Sequence, residues 1–301
     1  MRIIKFTVND EYNNRPLIHF LRGHVMLSTH IVQSLRHTHG AVIVNNRPSR
    51  LIDKIFEGDK VELHLPERTA LPPLWDFPLD IIFEDEDLLV VNKPSGVSTH
   101  PTYNHPNGTL CNAVANYLVK TEQNDCAPHA VGRLDKVTSG VMLFAKNAYV
   151  ASRLNGNIEK KYNAIATGKT NQSGTVNAPV YRPDPDKTIR TVDERGDEAV
   201  THYTVINGTD NITFLEIITE TGRTHQIRVH CAYIGNPLVG DEMYGGKATK
   251  DLNRAALHCK SISVTHPVSG EYLTFTAPLP DDMKKELKKS GIFVDKQNDI
   301  C

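Results

Sequence analysis

Four prolines fall within thirteen residues in Pro66-Glu-Arg-Thr-Ala-Leu-Pro-Pro-Leu-Trp-Asp-Phe-Pro78, and this stretch most narrows what the chain can fold into. A proline ring fixes φ and removes a backbone donor, so neither a helix interior nor a central strand can run through it. The stretch is expected to be an extended, semi-rigid spacer. It divides the 301 residues into a small unit over 12–65, a linker over 66–79, a large unit over 80–280 and a C-terminal helix and tail over 281–301. Trp75, the only tryptophan, is expected to pack on the unit that follows.

The small unit has helical apolar spacing over Leu17 to Leu21 and again over Ile31 to Leu35, with Ser28 or Thr29 placed to cap the second helix. Two short strands then flank an Asn45-Asn46 turn, and a Gly58-Asp59 turn feeds an alternating strand. Arg22, Arg36, His37, Arg47 and Arg50 give this unit local positive charge. The whole chain gives no such sign: 34 Lys and Arg against 35 Asp and Glu leave a net charge of -1. Local patches therefore carry any argument for a nucleic-acid partner.

The large unit alternates between strand and helix patterns. Two strands flank the acidic turn near Glu84 to Asp87, and a Lys93-Pro94-x-Gly96 bend follows, read as architectural. Leu110 to Lys120 is a short amphipathic helix. Residues 148–158 are expected to be helical and 160–168 a strand, while 169–198 are loop, with Arg182, Lys187, Arg190 and Arg195 exposed. A hairpin over 200–206 and 212–219 leads into a helix ending near Ile234, whose core face is Ile227, Cys231 and Ile234. Strands over 257–264 and 271–277 complete the sheet, and Asp281 is placed to cap a final helix that stops at Gly291. The fold class is α+β, with a mixed, mainly antiparallel sheet flanked by helices and loops.

Several function classes are excluded. No run reaches the eighteen or so apolar residues of a membrane helix, and the start, Met-Arg-Ile-Ile-Lys-Phe, lacks a signal peptide's apolar core and cleavage site. The five cysteines (Cys111, Cys126, Cys231, Cys259, Cys301) are never spaced C-x-x-C, which points to reduced thiols in the cytoplasm. His230-Cys231 and His258-Cys259 have no second pair at ligand spacing, so no metal is expected. Lys247 follows Gly245-Gly246, but Ala248 replaces the Ser or Thr of a P-loop and the preceding glycine is missing.

The chemistry concentrates in His129 to Lys146, where apolar runs at Ala130-Val131 and Val141 to Ala145 enclose Arg133, Asp135, Lys136, Thr138 and Ser139. A lone carboxylate flanked by Arg133 and Lys136 is held ionised by its neighbours. By itself this describes an ordinary polar turn. The order Gly-Arg-Leu-Asp-x-x-Thr-Ser-Gly over 132–140, however, resembles the catalytic motif of the RluA-type pseudouridine synthases. Lys93-Pro94-x-Gly96, His100-Pro101, Gly108-Thr109-Leu110, Gly222-Arg-Thr-His-Gln-Ile-Arg228, Gly240-Asp241 and Tyr244-Gly245 match the same family in order and approximate spacing. The small unit in turn resembles the αL RNA-binding motif named after a small-subunit ribosomal protein.

These resemblances run from about Leu17 to Pro280. They imply an isomerase that detaches uracil from ribose in RNA, turns it and reattaches it through carbon 5, with no cofactor. Asp135 is implied as the catalytic aspartate, by attack on the anomeric carbon or by removal of the 2′ proton. Arg228 is implied to pair with Asp135, Tyr162 to stack on the base and help remove the carbon 5 proton, and Ile227 to floor the pocket. Arg133 is implied to fill the stack vacated by the flipped nucleotide. Arg22, Arg36, Arg47 and Arg50 are implied as phosphate contacts. The partner is RNA, large-subunit ribosomal RNA first and transfer RNA second, and the protein is expected to be a monomer. One departure is Gly132, where the RluA type commonly has His. Two other classes compete: a glycoside hydrolase, which usually needs two carboxylates where this motif offers one, and a catalytically silent RNA-binding protein.

Overall fold

The computed structural model describes residues 2–38, 40–65, 71–123 and 125–293. The linker's first residues, 66–70, and the tail over 294–301 lie outside them.

In the small unit, strand β1 (Ile3–Thr7), helices α1 (Leu17–Gly23) and α2 (Thr29–His37), and strands β2 (Val42–Val44), β3 (Arg47–Pro48) and β4 (Lys60–His64) follow in chain order. The sheet order is β1-β4-β2-β3, all antiparallel. The sequence reading starts this unit at residue 12 and so omits β1, which pairs Ile3 with His64 and Thr7 with Lys60. Helix α2 starts where expected, with the Ser28 hydroxyl accepting from the Ile31 N–H at 3.3 Å. Asn45 and Asn46 both take left-handed φ, 49° and 64°, which matches a two-residue hairpin turn to the twist of its strands. The unit's core is Leu17, Phe20, Leu21, Ile31, Val32 and Leu35 from the helices against the inner face of the sheet.

The linker residues that are described lie on the large unit. The Asn112 side-chain amide donates to the Pro73 carbonyl at 2.6 Å, the Trp75 N–H donates to the Asn112 carbonyl at 3.3 Å, and Trp75 stacks on Phe77 at 4.3 Å.

The large unit continues with β5 (Ile81–Glu84), β6 (Leu88–Lys93), α3 (Leu110–Lys120), β7 (His129–Ala130), β8 (Ser139–Ala145), α4 (Ala148–Leu154), β9 (Ile158–Thr167) and β10 (Ser173–Asn177). After these come β11 (Val200–Gly208), β12 (Ile212–Thr219), α5 (Gln226–Tyr233), β13 (Leu257–Thr265), β14 (Tyr272–Thr276) and α6 (Asp281–Lys289). The sheet runs β10-β11-β12-β9-β13-β8-β6-β5, with β7 added on β8 and β14 on β13. Its one parallel pair among the described residues is β8 with β13, Ser139 opposite His258 and Gly140 opposite Cys259. Gly140 explains itself here: its φ is 114°, and a Cβ would stand 2.2 Å from the Cys259 carbonyl oxygen. The sheet is therefore mixed and mainly antiparallel, as expected. Strand β8 is buried along its whole length, as its apolar run requires of a strand covered on both faces.

Four local expectations change. Helix α4 ends at Leu154 because Gly156, at φ 81°, turns the chain into β9. Asp281 is the first residue of α6, not its cap; the cap position belongs to Pro280, and no side chain fills it. The expected loop over 169–198 contains β10, which extends the sheet edge, and a two-residue ladder between Val180–Tyr181 and Thr191–Val192. Ile234 is only half-buried, because α5 ends at Tyr233 and the face carrying Ile227 and Cys231 is not continued. The two units are in contact: the Arg2 guanidinium donates twice to buried Asp87, at 2.9 and 2.7 Å, and Phe6 meets Tyr149 edge-on.

Candidate active site

Asp135 lies in the connection between β7 and β8, and the bend over 94–99 braces it from both sides. The Thr99 hydroxyl donates to the Leu134 carbonyl at 2.9 Å and accepts from the Leu134 N–H at 3.2 Å. Beyond Asp135, the Gly96 N–H donates to the Lys136 carbonyl at 2.8 Å and the Ser95 hydroxyl to the Val137 carbonyl at 2.9 Å. The bend is itself held by Lys93, whose fully buried ammonium donates to the carbonyls of Pro94 at 2.9 Å and Val97 at 2.8 Å. Burial pushes the Lys93 pKa down to about 7, against the pull of Asp135. The Lys-Pro-x-Gly segment is thus architectural, with Asp135 as what it supports.

The Asp135 side chain is 14% exposed and opens onto a cleft of about 360 Å³, within the usual range for small-molecule sites. Three nitrogens surround its carboxylate: Arg228 Nη1 at 3.7 Å and His225 Nε2 at 3.9 Å, both from Oδ2, and Arg133 Nη2 at 3.9 Å from Oδ1. All three lie beyond hydrogen-bonding distance. The oxygen lone pairs therefore stay free for a reacting atom.

Arg228 is committed elsewhere. Its Nε and Nη2 donate to the two oxygens of Asp241, each at 2.7 Å, with both side chains buried, and its guanidinium lies 5.0 Å over the Tyr244 ring. The expected pairing with Asp135 is therefore the lesser of two, made by the one nitrogen that Asp241 leaves over. Burial works against the Arg228 charge, but the Asp241 fork outweighs it and the pKa rises. Asp241 was in a quoted motif without a role; only its position opposite Arg228 assigns one.

Tyr162 lines the same cleft from β9 and is buried. Burial drives its pKa well above the ordinary phenol value, and Cys259 and Asp135 add to the shift. The ring is thus a neutral phenol that walls the cleft. Ile227 and Leu134 supply further apolar lining. Arg133, with 56% of its side chain exposed, stands at the mouth. The cleft's other carboxylate, Glu220, is largely exposed and bonded to His202 at 2.7 Å.

The 221–226 loop carries His225, which the sequence reading quoted without a role. Gln226 holds this loop: its amide oxygen accepts from the Thr221 hydroxyl and the Arg223 N–H, and its amide nitrogen donates to the Val200 carbonyl and Thr201 hydroxyl. The four small-unit arginines are not in the cleft. Arg22, Arg36 and Arg47 are exposed, and Arg50 is engaged with Asp53 at 3.1 Å. No three His, Cys, Asp or Glu side chains converge as a metal-holding group among the described residues.

The model of a family described as RNA pseudouridylate synthase matches residues 87–233, which include Asp135, Tyr162 and Arg228. The uncharacterized RNA pseudouridine synthase YlyB of Bacillus subtilis is 41% identical over 264 residues, covering 84% of this chain and 87% of the relative. The ribosomal large subunit pseudouridine synthase D of Haemophilus influenzae is 36% identical over 252 residues, 76% of each chain. Among solved structures, a chain described as human RNA pseudouridylate synthase domain containing 4 superposes with a TM-score of 0.59 at 23% identity, over 72% of this chain and 94% of that one.

Proposed function

This chain belongs to the RluA-type RNA pseudouridine synthases, isomerases that convert uridine to pseudouridine, and from that we propose that it acts on large-subunit ribosomal RNA with Asp135 as the catalytic carboxylate. The observation that carries the assignment is a carboxylate with free lone pairs, facing an arginine that a second carboxylate fixes in place, in a cleft walled by a neutral tyrosine.

In the reaction the bond from ribose C1′ to uracil N1 breaks, the base turns, C1′ bonds to C5, the proton on C5 leaves and N1 gains one. Asp135 starts it by attacking C1′ or by taking the 2′ proton, and either route needs an ionised carboxylate with one oxygen free to react. Arg228 holds a positive charge beside that anion. Tyr162 stacks on the loose uracil and Ile227 closes the floor. The nucleotide reaches the cleft by flipping out of its stack, at a cost of a few kcal/mol, and exposed Arg133 fills the gap with its planar guanidinium. The small unit serves as an αL-like RNA-binding module that contributes phosphate contacts through Arg22, Arg36 and Arg47. The protein is taken to work as a monomer in the cytoplasm, and no helix among the described residues is long and apolar enough to cross a membrane.

The large-subunit target rests on relatives carrying that name at 36–40% identity in several bacteria. Purified protein incubated with 23S ribosomal RNA or with transfer RNA, then mapped by carbodiimide-dependent primer extension, tests it. New stops are expected in the ribosomal RNA only, and Asp135→Asn abolishes them while still binding RNA. Stops confined to transfer RNA would reassign the target, and full activity in Asp135→Asn would reject the catalytic assignment.

A further inference from the structure

His225 has no part in the assignment above beyond its proximity, yet its setting is heavily determined. It precedes α5 with φ 60° and ψ 14°, a left-handed conformation that non-glycine residues adopt at a cost. The imidazole is largely buried, with Nδ1 2.7 Å from the Tyr244 hydroxyl and Nε2 3.9 Å from Asp135 Oδ2.

The hydrogen-bond partners decide where the imidazole proton sits. The Tyr244 hydroxyl oxygen accepts from the Arg190 N–H at 3.0 Å. If His225 also donated to that oxygen, the hydroxyl proton would have no acceptor among the described residues. If Tyr244 donates to Nδ1 instead, the hydroxyl and Nδ1 each have a partner. Nδ1 is then an acceptor, and the proton of the neutral ring is on Nε2, facing Asp135. The surrounding charges fit a neutral ring: burial lowers the His225 pKa, Arg228 and Arg190 oppose a second cation, and Asp135 and Asp241 pull the other way without prevailing. Tyr244 keeps its proton, since burial raises its own pKa.

We propose that His225 is a positioning residue: Tyr244 locks its proton on Nε2, and there it works with Arg228 Nη1 to fasten Oδ2 of Asp135, leaving Oδ1 to meet the ribose. Both donors face the same oxygen. The one ion-pair partner of Oδ1 among the described residues is Arg133, the residue assigned to leave the site for the RNA stack, so its departure frees Oδ1 as the nucleotide arrives. The gaps of 3.7 and 3.9 Å shorten to hydrogen bonds once substrate closes the cleft. This also gives Tyr244-Gly245 and Thr224-His225 a joint purpose: Asp241 orients Arg228, Tyr244 orients His225, and the two together orient one carboxylate. The inference rests on Asp135 being the catalytic group.

Two measurements test it. The first needs no RNA: histidine ¹⁵N NMR on the full chain, with the His225 signal assigned by its loss in His225→Gln. The Nε2–H tautomer is expected in the wild type and a mixture in Tyr244→Phe; an Nδ1–H tautomer in the wild type overturns the proposal. The second uses single-turnover kinetics and RNA affinity. Gln places its amide nitrogen near the position of Nε2, whereas Asn reaches only Nδ1. His225→Gln is therefore expected to hold most of the rate, and His225→Asn to lose about a hundredfold in rate with unchanged RNA affinity. Equal losses in both, or none in Asn, overturn it. An inactive wild type on ribosomal RNA with the expected tautomer would reject the target and leave the tautomer assignment standing.

Discussion

At the residue scale, the pair Arg228 and Asp241 shows how a buried charge serves a site without touching the reaction. The fork takes two of the three guanidinium nitrogens, so the remaining one has a single direction, toward Asp135. Breaking a buried pair leaves one charge uncompensated, which costs about 3–5 kcal/mol. Asp241→Asn is therefore expected to lose stability of that order in urea unfolding, together with activity. Arg228→Lys is expected to fold more nearly like the wild type while modifying RNA poorly, because an ammonium cannot fork and reach a third group at once. Wild-type stability in Asp241→Asn would show that the fork is dispensable.

At the element scale, the connection that carries Asp135 is short and its ends are fixed by strands. Strand β8 leaves the site in parallel with β13, and the crossing is close enough that only glycine fits at 140. The Ser139 hydroxyl adds a hydrogen bond to His258 Nδ1 at 3.0 Å, and His258 Nε2 donates to the Ala277 carbonyl at 3.3 Å, so the first turn of the crossing is held by side chains as well. Gly140→Ala is expected to destabilise by about 3 kcal/mol through forced separation of the backbones, and to lower activity by displacing Asp135. Thermal unfolding checks this; a loss below half that size would mean that the two strands can part without harm. On the other side, β6 ends in Lys93, which turns the 94–99 bend into the clamp around Asp135.

At the scale of the whole molecule, burial of histidine gives a pH dependence. His100, His129, His225 and His230 all lie below the ordinary imidazole value of 6.5, chiefly because burial disfavours the charged ring. Below 6.5 the unfolded chain takes up protons that the folded chain refuses. Stability is thus fully present above that pH and is lost as pH falls toward the folded values. The Tm is expected to drop steadily from pH 7 to pH 5.5, and a flat profile would show that these rings ionise freely in the fold. The near-zero net charge gives no whole-molecule attraction to RNA, and positive charge is local, as at exposed Arg133 by the cleft and exposed Arg22, Arg36 and Arg47 on the small unit.

Much of this was legible in the residues, for a definite reason. The Ser28 cap, the Asn45-Asn46 turn, helix Leu110–Lys120 and the strands around the acidic turn depend on neighbours a few positions away, and such signals are written locally. Asp135 was legible too, through the order of residue types around it. The sequence could not show that Ile3–Thr7 completes the small sheet, since its partner strand lies at the far end of that unit. Nor could it show that Arg228 answers first to Asp241, or that the Tyr244 hydroxyl meets His225 Nδ1. Those facts depend on how segments distant in the chain approach one another, and backbone distance, burial and competition between partners are settled only when the sheet has closed. The sequence by itself thus determined most of the elements and singled out the carboxylate that faces the cleft, and the tertiary structure decided which neighbours surround it.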